Sequence, residues 1–383
     1  MKKHFYYLSL ALGLTISMTG FTSCGDDNDD PQTSTTAQDA QQQQGEQQES
    51  PVIYALTLDV ANIDPQFVDQ ENKCIAIPVG NSADMKFIVE PAELASQIVL
   101  TSADPSIIEV DGLKLTAKKA GTVKITVKAG EMETAFDVVV KKIVDLSTIT
   151  EDYTAQDGDM LTGTLDGATQ PYKISIADGA TVTLKNLTIN GVNNQSYKWA
   201  GITPEGDATI VLEGENTVTG FYEDYPGIFA TVDKTLTIKG TGSLTASSTK
   251  YGAGIGGGYS MPCGNIAIEG GTIIANGGNK AAGIGGGKNG FARCGNITIT
   301  GGNITATGGV GAAGIGSGES ADCGTITITD GVTKVTATKG AEAYSSIGLS
   351  AWLPYSDCKV IIGGTEYGNG ILDSPYTYEP GKK

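Results

Sequence analysis

The feature that most constrains the fold of this chain is a glycine-rich motif that returns at nearly constant spacing. The motif Ala-Gly-Ile-Gly begins at residues 253, 282 and 313. Shorter copies keep its isoleucine, which stands at positions 202, 228, 255, 284, 315 and 347, so that the period is 26 to 32 residues. A fixed period of this length predicts a repeat architecture in which each unit packs only against its neighbours.

Each repeat also contains two short segments in which apolar residues alternate with threonine. In one copy, residues 296–300 and 303–307 are such segments, and each is followed by Gly-Gly. A period of two predicts strands, and glycine permits the positive φ angles of tight corners. One coil cannot bury its apolar face alone, so we expect about six to seven coils stacked roughly 4.8 Å apart. Residues 143–383 are therefore predicted to form a parallel β-helix.

A different pattern occupies residues 51–142, where short alternating runs are separated by turn residues, as in a sandwich of antiparallel strands. The stretch 102–127, SADPSIIEVDGLKLTAKKAGTVKITV, resembles bacterial Ig-like domains, with a V-D-G hairpin and an A-G-T-x-x-I-T-V strand. This resemblance implies a spacer or an adhesion module. Cys74 has no partner cysteine in this segment, and we expect a buried thiol there.

The entry to the repeats, at residues 158–165 and 172–184, resembles the first coil of adhesin-like β-helix lipoproteins with AGIGGG repeats. It resembles β-helical carbohydrate-binding domains more distantly. The resemblance implies a right-handed helix that binds glycans or another surface. The expected fold is all-β: an Ig-like β-sandwich followed by a right-handed parallel β-helix.

The N-terminus has the pattern of an export signal. Lys2 and Lys3 precede an apolar run over residues 5–18, which is too short to span a bilayer as a helix. Phe-Thr-Ser-Cys at residues 21–24 resembles a bacterial lipobox, so residues 1–24 are expected to be a lipoprotein signal peptide with Cys24 as the lipidation site. We expect an outer-membrane lipoprotein, exposed on the cell surface, that touches the membrane through this anchor only.

The segment 25–50 is predicted to be a disordered tether, because it is acidic and glutamine-rich and has nothing with which to build a core. The whole chain carries a net charge of −18 and a single arginine, Arg293. Nucleic acid is therefore excluded as a partner, since phosphate binding needs clustered lysine and arginine.

Catalysis is the main rival to binding, because a β-helical polysaccharide lyase or hydrolase could share this fold. The only histidine, His4, lies in the signal, and the acidic residues of the repeats are scattered. Glu319 and Asp322 are the nearest approach to a catalytic pair. We assign no catalytic residue and no cofactor, and leave calcium binding open. A structural envelope or stalk protein without a soluble ligand is a further alternative.

Four cysteines stand three residues before successive strand isoleucines and are predicted to form one column: Cys263, Cys294, Cys323 and Cys358. A linear column cannot surround a tetrahedral metal ion, so no metal site is expected. Neighbours in the column would lie within disulfide range, and export permits oxidation. Buried free thiols are nonetheless the favoured interpretation.

The candidate binding residues are aromatic. They precede or follow the glycine-rich corners of successive coils, and they are Tyr197, Trp199, Tyr222, Tyr225, Tyr251, Tyr259 and Phe291. Flat rings suit the C–H faces of sugars, and Glu223 and Asp224 could accept hydroxyls or calcium. The alternative is that the rings cover loop ends. The predicted function is a non-catalytic adhesin whose partner is a glycan or the surface of a host or neighbouring cell.

Overall fold

The computed structural model describes residues 54–69, 74–289, 293–350 and 358–382. Cys24, the tether and Phe291 lie outside these residues. The regular structure of the described residues is β-strand with short 3-10 helices at Val60–Asn62, Pro65–Phe67, Ala92–Gln97 and Leu146–Thr148. No helix in the described ranges is long and apolar enough to cross a membrane.

The N-terminal part consists of short, mostly antiparallel strands. They are β1 (Ala55–Leu58), β2 (Val68–Asp69), β3 (Cys74–Pro78), β4 (Ser82–Asp84), β5 (Phe87–Glu90), β6 (Val99–Ser102), β7 (Ile108–Asp111), β8 (Lys114–Ala117), β9 (Gly121–Ala129) and β10 (Met132–Asp145). One sheet runs β6-β9-β10-β3-β2, a second runs β4-β8-β7, and β1 pairs with β5. The bacterial Ig-like assignment stays a prediction.

Strand β10 joins the N-terminal part to the repeats without a break. Its first part pairs with β9 and, as far as Lys141, in parallel with β3. Residues 142–145 then pair in parallel with residues 159–162 of the solenoid. The Lys141 ammonium lies 3.2 Å from an Asp69 carboxylate oxygen and 3.0 Å from a Glu213 carboxylate oxygen. The predicted boundary after residue 142 therefore falls inside a strand, with a largely buried ion-pair network beside it.

The first coils are built from β11 (Tyr153–Ala155), β12 (Asp159–Asp166), β13 (Ile174–Ile176), β14 (Thr181–Asn190) and β15 (Thr203–Pro204). Strand β12 pairs in parallel with β14, and β11, β13 and β15 form a separate parallel sheet. Strand β14 is long because it supplies two faces of its coil: its first half pairs with one strand of the next coil and its second half with another.

The following coils have three strands each. One face is β16 (Ala208–Glu213), β19 (Thr235–Gly240), β22 (Asn265–Ile268), β25 (Ile297–Ile299), β28 (Thr325–Ile328) and β31 (Lys359–Ile362). The second face is β17 (Glu215–Thr219), β20 (Ser243–Ser247), β23 (Thr272–Asn276), β26 (Asn303–Thr307) and β29 (Lys334–Thr338). The third is β18 (Ile228–Phe229), β21 (Ile255–Gly256), β24 (Ile284–Gly285), β27 (Ile315–Gly316) and β30 (Ile347–Gly348).

These strands form a parallel β-solenoid of the right-handed type with about six turns. The predicted register is confirmed on the third face, where Ile284 pairs with Ile255 on one side and Ile315 on the other. All three side chains are fully buried. One period of the isoleucine motif therefore corresponds to one coil of the solenoid, because equivalent isoleucines of neighbouring coils lie directly above one another.

Glycine after each of these isoleucines is required by close approach between coils. Gly285 has a φ of +129°, and a β-carbon there would lie 2.0 Å from the carbonyl oxygen of Gly316 on the next coil. No other residue fits this backbone without displacement.

The C-terminal end of the solenoid is closed by antiparallel strands on all three faces. They are β32 (Thr365–Glu366), which pairs with β31, β33 (Gly370–Ile371), which pairs with β30, and β34 (Tyr376–Tyr378), which pairs with β29. Each one occupies an edge that would otherwise accept another parallel coil.

The cysteine column is present, but the favoured free thiols are wrong. Cys263 is bonded to Cys294 and Cys323 to Cys358, with Cα–Cα distances of 4.5 and 4.9 Å. The spacing of adjacent coils lies within the range that a disulfide spans, so register alone brings the sulfur atoms together. Cys74, the free cysteine of the described residues, is half-buried, and burial raises the pKa of its thiol to about 11.

Candidate functional site

Two of the predicted sugar-binding residues belong to a packing cluster. The Trp199 ring centroid lies 5.4 Å from that of Tyr197 and 5.7 Å from that of Phe221, which is fully buried. The Trp199 indole nitrogen is also buried, with no hydrogen-bond partner among the described residues. Trp199 and Tyr197 pack against the solenoid core. Their geometry fits the alternative in which the rings cover the end of a loop.

A second group of predicted residues lies together on the outside of the following coils. The rings of Tyr251 and Tyr259 have centroids 5.9 Å apart and planes inclined by 45°. The Lys288 ammonium lies 4.2 Å from the Tyr251 centroid and 5.4 Å from that of Tyr259, and the Lys250 ammonium lies 4.5 Å from the Tyr251 centroid. We call Lys250, Tyr251, Tyr259 and Lys288 the edge cluster.

Backbone hydrogen bonds between coils hold the edge cluster in place. The Tyr251 amide donates to the Glu223 carbonyl, and the Lys288 amide donates to the Tyr251 carbonyl at 3.1 Å. The Tyr259 amide donates to the Asp224 carbonyl at 2.7 Å. Three loops that are distant in sequence are thereby fixed side by side, so the side chains are positioned by the solenoid register rather than by one flexible loop.

The acidic residues beside the cluster differ in their environment. The Lys250 ammonium lies 2.8 Å from a Glu223 carboxylate oxygen, and this pair lowers the pKa of Glu223. Burial, and then the charge of Glu223, raises the pKa of Asp224. Burial likewise raises the pKa values of Tyr222 and Tyr225 above the ordinary tyrosine value. The predicted residues Tyr222 and Tyr225 are both half-buried, and the Tyr222 side chain is hydrogen-bonded with Glu223.

The two residues considered for catalysis each contact a different partner. Glu319 lies 2.8 Å from the Lys280 ammonium, and Asp322 accepts a hydrogen bond of 2.8 Å from the Cys323 amide. Within the part of the chain that the structure describes, no group of three or more histidine, cysteine, aspartate or glutamate side chains could hold a metal ion. Calcium binding stays an open question.

Sequence reasoning missed a pair of exposed tyrosines near the C-terminal end. Tyr344 and Tyr367 are 40% and 41% exposed and line a shallow depression with Asn369, Gly370 and Leu372. They fall where the repeat motif has decayed, so the only available signal was the aromatic residues themselves. Among the described residues, those that line this depression are uncharged.

Comparison with known protein families matches three stretches of the chain, residues 236–259, 266–288 and 297–319, to a model described as beta helix repeat. Comparisons with curated proteins and with solved structures gave no significant match. The three stretches fall on consecutive coils, and the first two contain the edge cluster. Residues 236–319 thus carry beta helix repeats, and the C-terminal part of this chain is a parallel β-helix.

Proposed function

We propose that this protein is a non-catalytic surface lipoprotein whose β-helix binds glycans or the surface of another cell. The observation that carries the proposal is the edge cluster, where Tyr251, Tyr259 and Lys288 come from neighbouring loops and lie within 6 Å of one another. Tyrosine rings offer an apolar face with a polar tip, the combination that suits a sugar ring. Such a cluster on a rigid scaffold needs little reorganisation on binding.

The repeated loops of the solenoid also suit a binding surface. A long side built from equivalent loops offers repeated weak contacts, whose combined affinity exceeds that of any single contact when several engage at once. Of the two acidic residues considered for catalysis, Glu319 contacts a lysine and Asp322 accepts a hydrogen bond from a backbone amide. Both carboxyl groups are thus already engaged, whereas cleavage of a glycosidic bond needs one as acid and one as base or nucleophile.

The test is a glycan array probed with the mature protein and with Tyr259→Ala. Tyr259 is 37% exposed, so the substitution should leave the core intact while weakening glycan binding at least several-fold. Tyr344→Ala is the matched control, because Tyr344 is 40% exposed at the far end of the solenoid. Binding that is unaffected by Tyr259→Ala, or equally reduced by both changes, would remove the edge cluster from the proposal.

The rival functions give different results with the same protein. A lyase or hydrolase would shorten a polysaccharide, or release an unsaturated sugar, over hours of incubation. A structural stalk would bind no glycan and cleave none.

The proposed location is checked separately by protease treatment of intact cells. Display on the surface predicts digestion of the wild-type protein without lysis. Cys24→Ser should release the protein from the membrane fraction if Cys24 carries the lipid.

A further inference from the structure

The Lys288 ammonium differs from other lysines on this side of the solenoid in its surroundings. Lys250 and Lys280 each lie 2.8 Å from a glutamate oxygen, and Lys234 lies 3.5 Å from an aspartate oxygen. Lys288 has no carboxylate within ion-pair distance among the described residues. Its ammonium contacts the two tyrosine rings, and Asp224 is near enough to feel its charge. A cation that is held over aromatic rings keeps its charge available for a ligand.

The backbone of Lys288 is held by hydrogen bonds through both its amide and its carbonyl, which limits where the ammonium can lie. The Lys288 amide donates to the Tyr251 carbonyl at 3.1 Å, and the Lys288 carbonyl accepts from the Ser260 amide at 2.9 Å. The Tyr251 ring, 4.2 Å away, supports the end of the side chain. Less side-chain freedom is therefore lost when a ligand binds than for a lysine in open solvent.

Tyr259 supplies the second element of a sugar site. It is the more exposed of the two rings, whereas the Tyr251 ring contacts both lysines. The Lys288 ammonium lies over the Tyr259 ring, 5.4 Å from its centroid. A sugar ring packed on Tyr259 beside the ammonium, at about 4 Å contact distance, would bring a substituent on its rim close to that charge. A carboxylate is the sugar substituent that forms the strongest hydrogen bonds with an ammonium.

We propose that the edge cluster recognises an acidic sugar, with the sugar ring on Tyr259 and its carboxylate paired with Lys288. This inference rests on the proposed glycan-binding function and specifies its ligand. The rest of the charge distribution limits the ligand further. The chain carries a net charge of −18, Lys250 is already paired with Glu223, and Asp224 lies nearby. A dense polyanion would be repelled, so the site fits a single acidic sugar flanked by neutral ones.

The experiment compares two oligosaccharides that differ at one carbon, one ending in glucuronic acid and the other in glucose. Binding of each is measured by titration calorimetry at low ionic strength with the full mature chain. The wild-type protein should bind the acidic probe about five-fold more tightly, the upper range for an exposed ion pair. This preference should shrink as salt is added. Lys288→Met keeps the length of the side chain and should abolish the preference, while Lys288→Arg should keep it.

Lys239→Met is the matched control, because it removes the same charge from an exposed lysine on β19, away from the edge cluster. It should leave the preference unchanged. Equal wild-type binding of the two probes, or a preference that survives Lys288→Met, would overturn the inference while glycan binding itself stands. Absence of binding to either probe, and to every glycan on the array, would remove the inference together with the proposed function.

Discussion

Replacing one isoleucine in the middle of the third solenoid face should measure how strongly the coils depend on register. Ile284 is fully buried between Ile255 and Ile315, which are themselves fully buried. In Ile284→Ala the cavity cannot close, because backbone hydrogen bonds to both neighbouring coils hold β24 in place. The expected loss in the free energy of unfolding is about 3–4 kcal/mol, within the usual range for an isoleucine truncated in a rigid core.

The matched control is Ile274→Ala. Ile274 lies on β23, the preceding strand of the same coil, and its side chain faces outward. Ile274 is 40% exposed and pairs with Thr245 and Thr305, so the substitution should cost less than about 1 kcal/mol. Both variants are compared by urea unfolding followed by circular dichroism. The shift of the first transition is used because long repeat arrays need not unfold in two states. Equal losses in the two variants would refute the assigned inward and outward faces.

Three further outcomes follow from local contacts. Trp199→Ala should lower the free energy of unfolding by about 3 kcal/mol, measured by urea unfolding, because its ring packs on the core. The Asn296 side chain accepts a hydrogen bond of 2.9 Å from the Thr325 amide on the next coil. Asn296→Ala should therefore cost about 1 kcal/mol in the same assay, whereas Asn296→Asp, which keeps the acceptor, should cost less. The Lys250 ammonium lowers the pKa of Glu223, so this ion pair contributes fully above the ordinary glutamate range and is lost as pH falls through the lowered pKa. A carboxyl NMR titration should show that pKa rising in Lys250→Met; an unchanged pKa would contradict the pairing.

In the repeat region, the local sequence pattern predicted most of the structure. The alternation of isoleucine and threonine predicted both strands of each coil, and the spacing of the Gly-Ile motif predicted which residues pair, as Ile255, Ile284 and Ile315 confirm. The same spacing predicted the column of cysteines. It did not predict that they pair, because one coil spacing permits either state: Cys294 also lies beside Cys323 on the next coil and is not bonded to it.

The candidate site likewise combines features that the sequence predicted with features that it did not. The sequence identified aromatic residues beside the glycine-rich corners, Trp199 before one corner and Tyr259 after another, but gave them the same expected role. In the structure Trp199 packs on a buried phenylalanine, while Tyr259 lies on the outside beside Lys288. Neighbours in three dimensions made the difference, and no neighbour in sequence carried that information.

The amino-acid sequence by itself determined that the C-terminal part winds into stacked coils, since period and alternation are repeated in every copy and each copy packs against the next. Only the tertiary structure decided how β10 continues from the N-terminal sheet into the first coil, how Lys141 joins Asp69 to Glu213, and which lysine of the edge cluster lies over both tyrosine rings. These features occur once, and they depend on distances of a few ångströms between segments far apart in the chain. A periodic pattern specifies what repeats, whereas single contacts are fixed by the folded backbone.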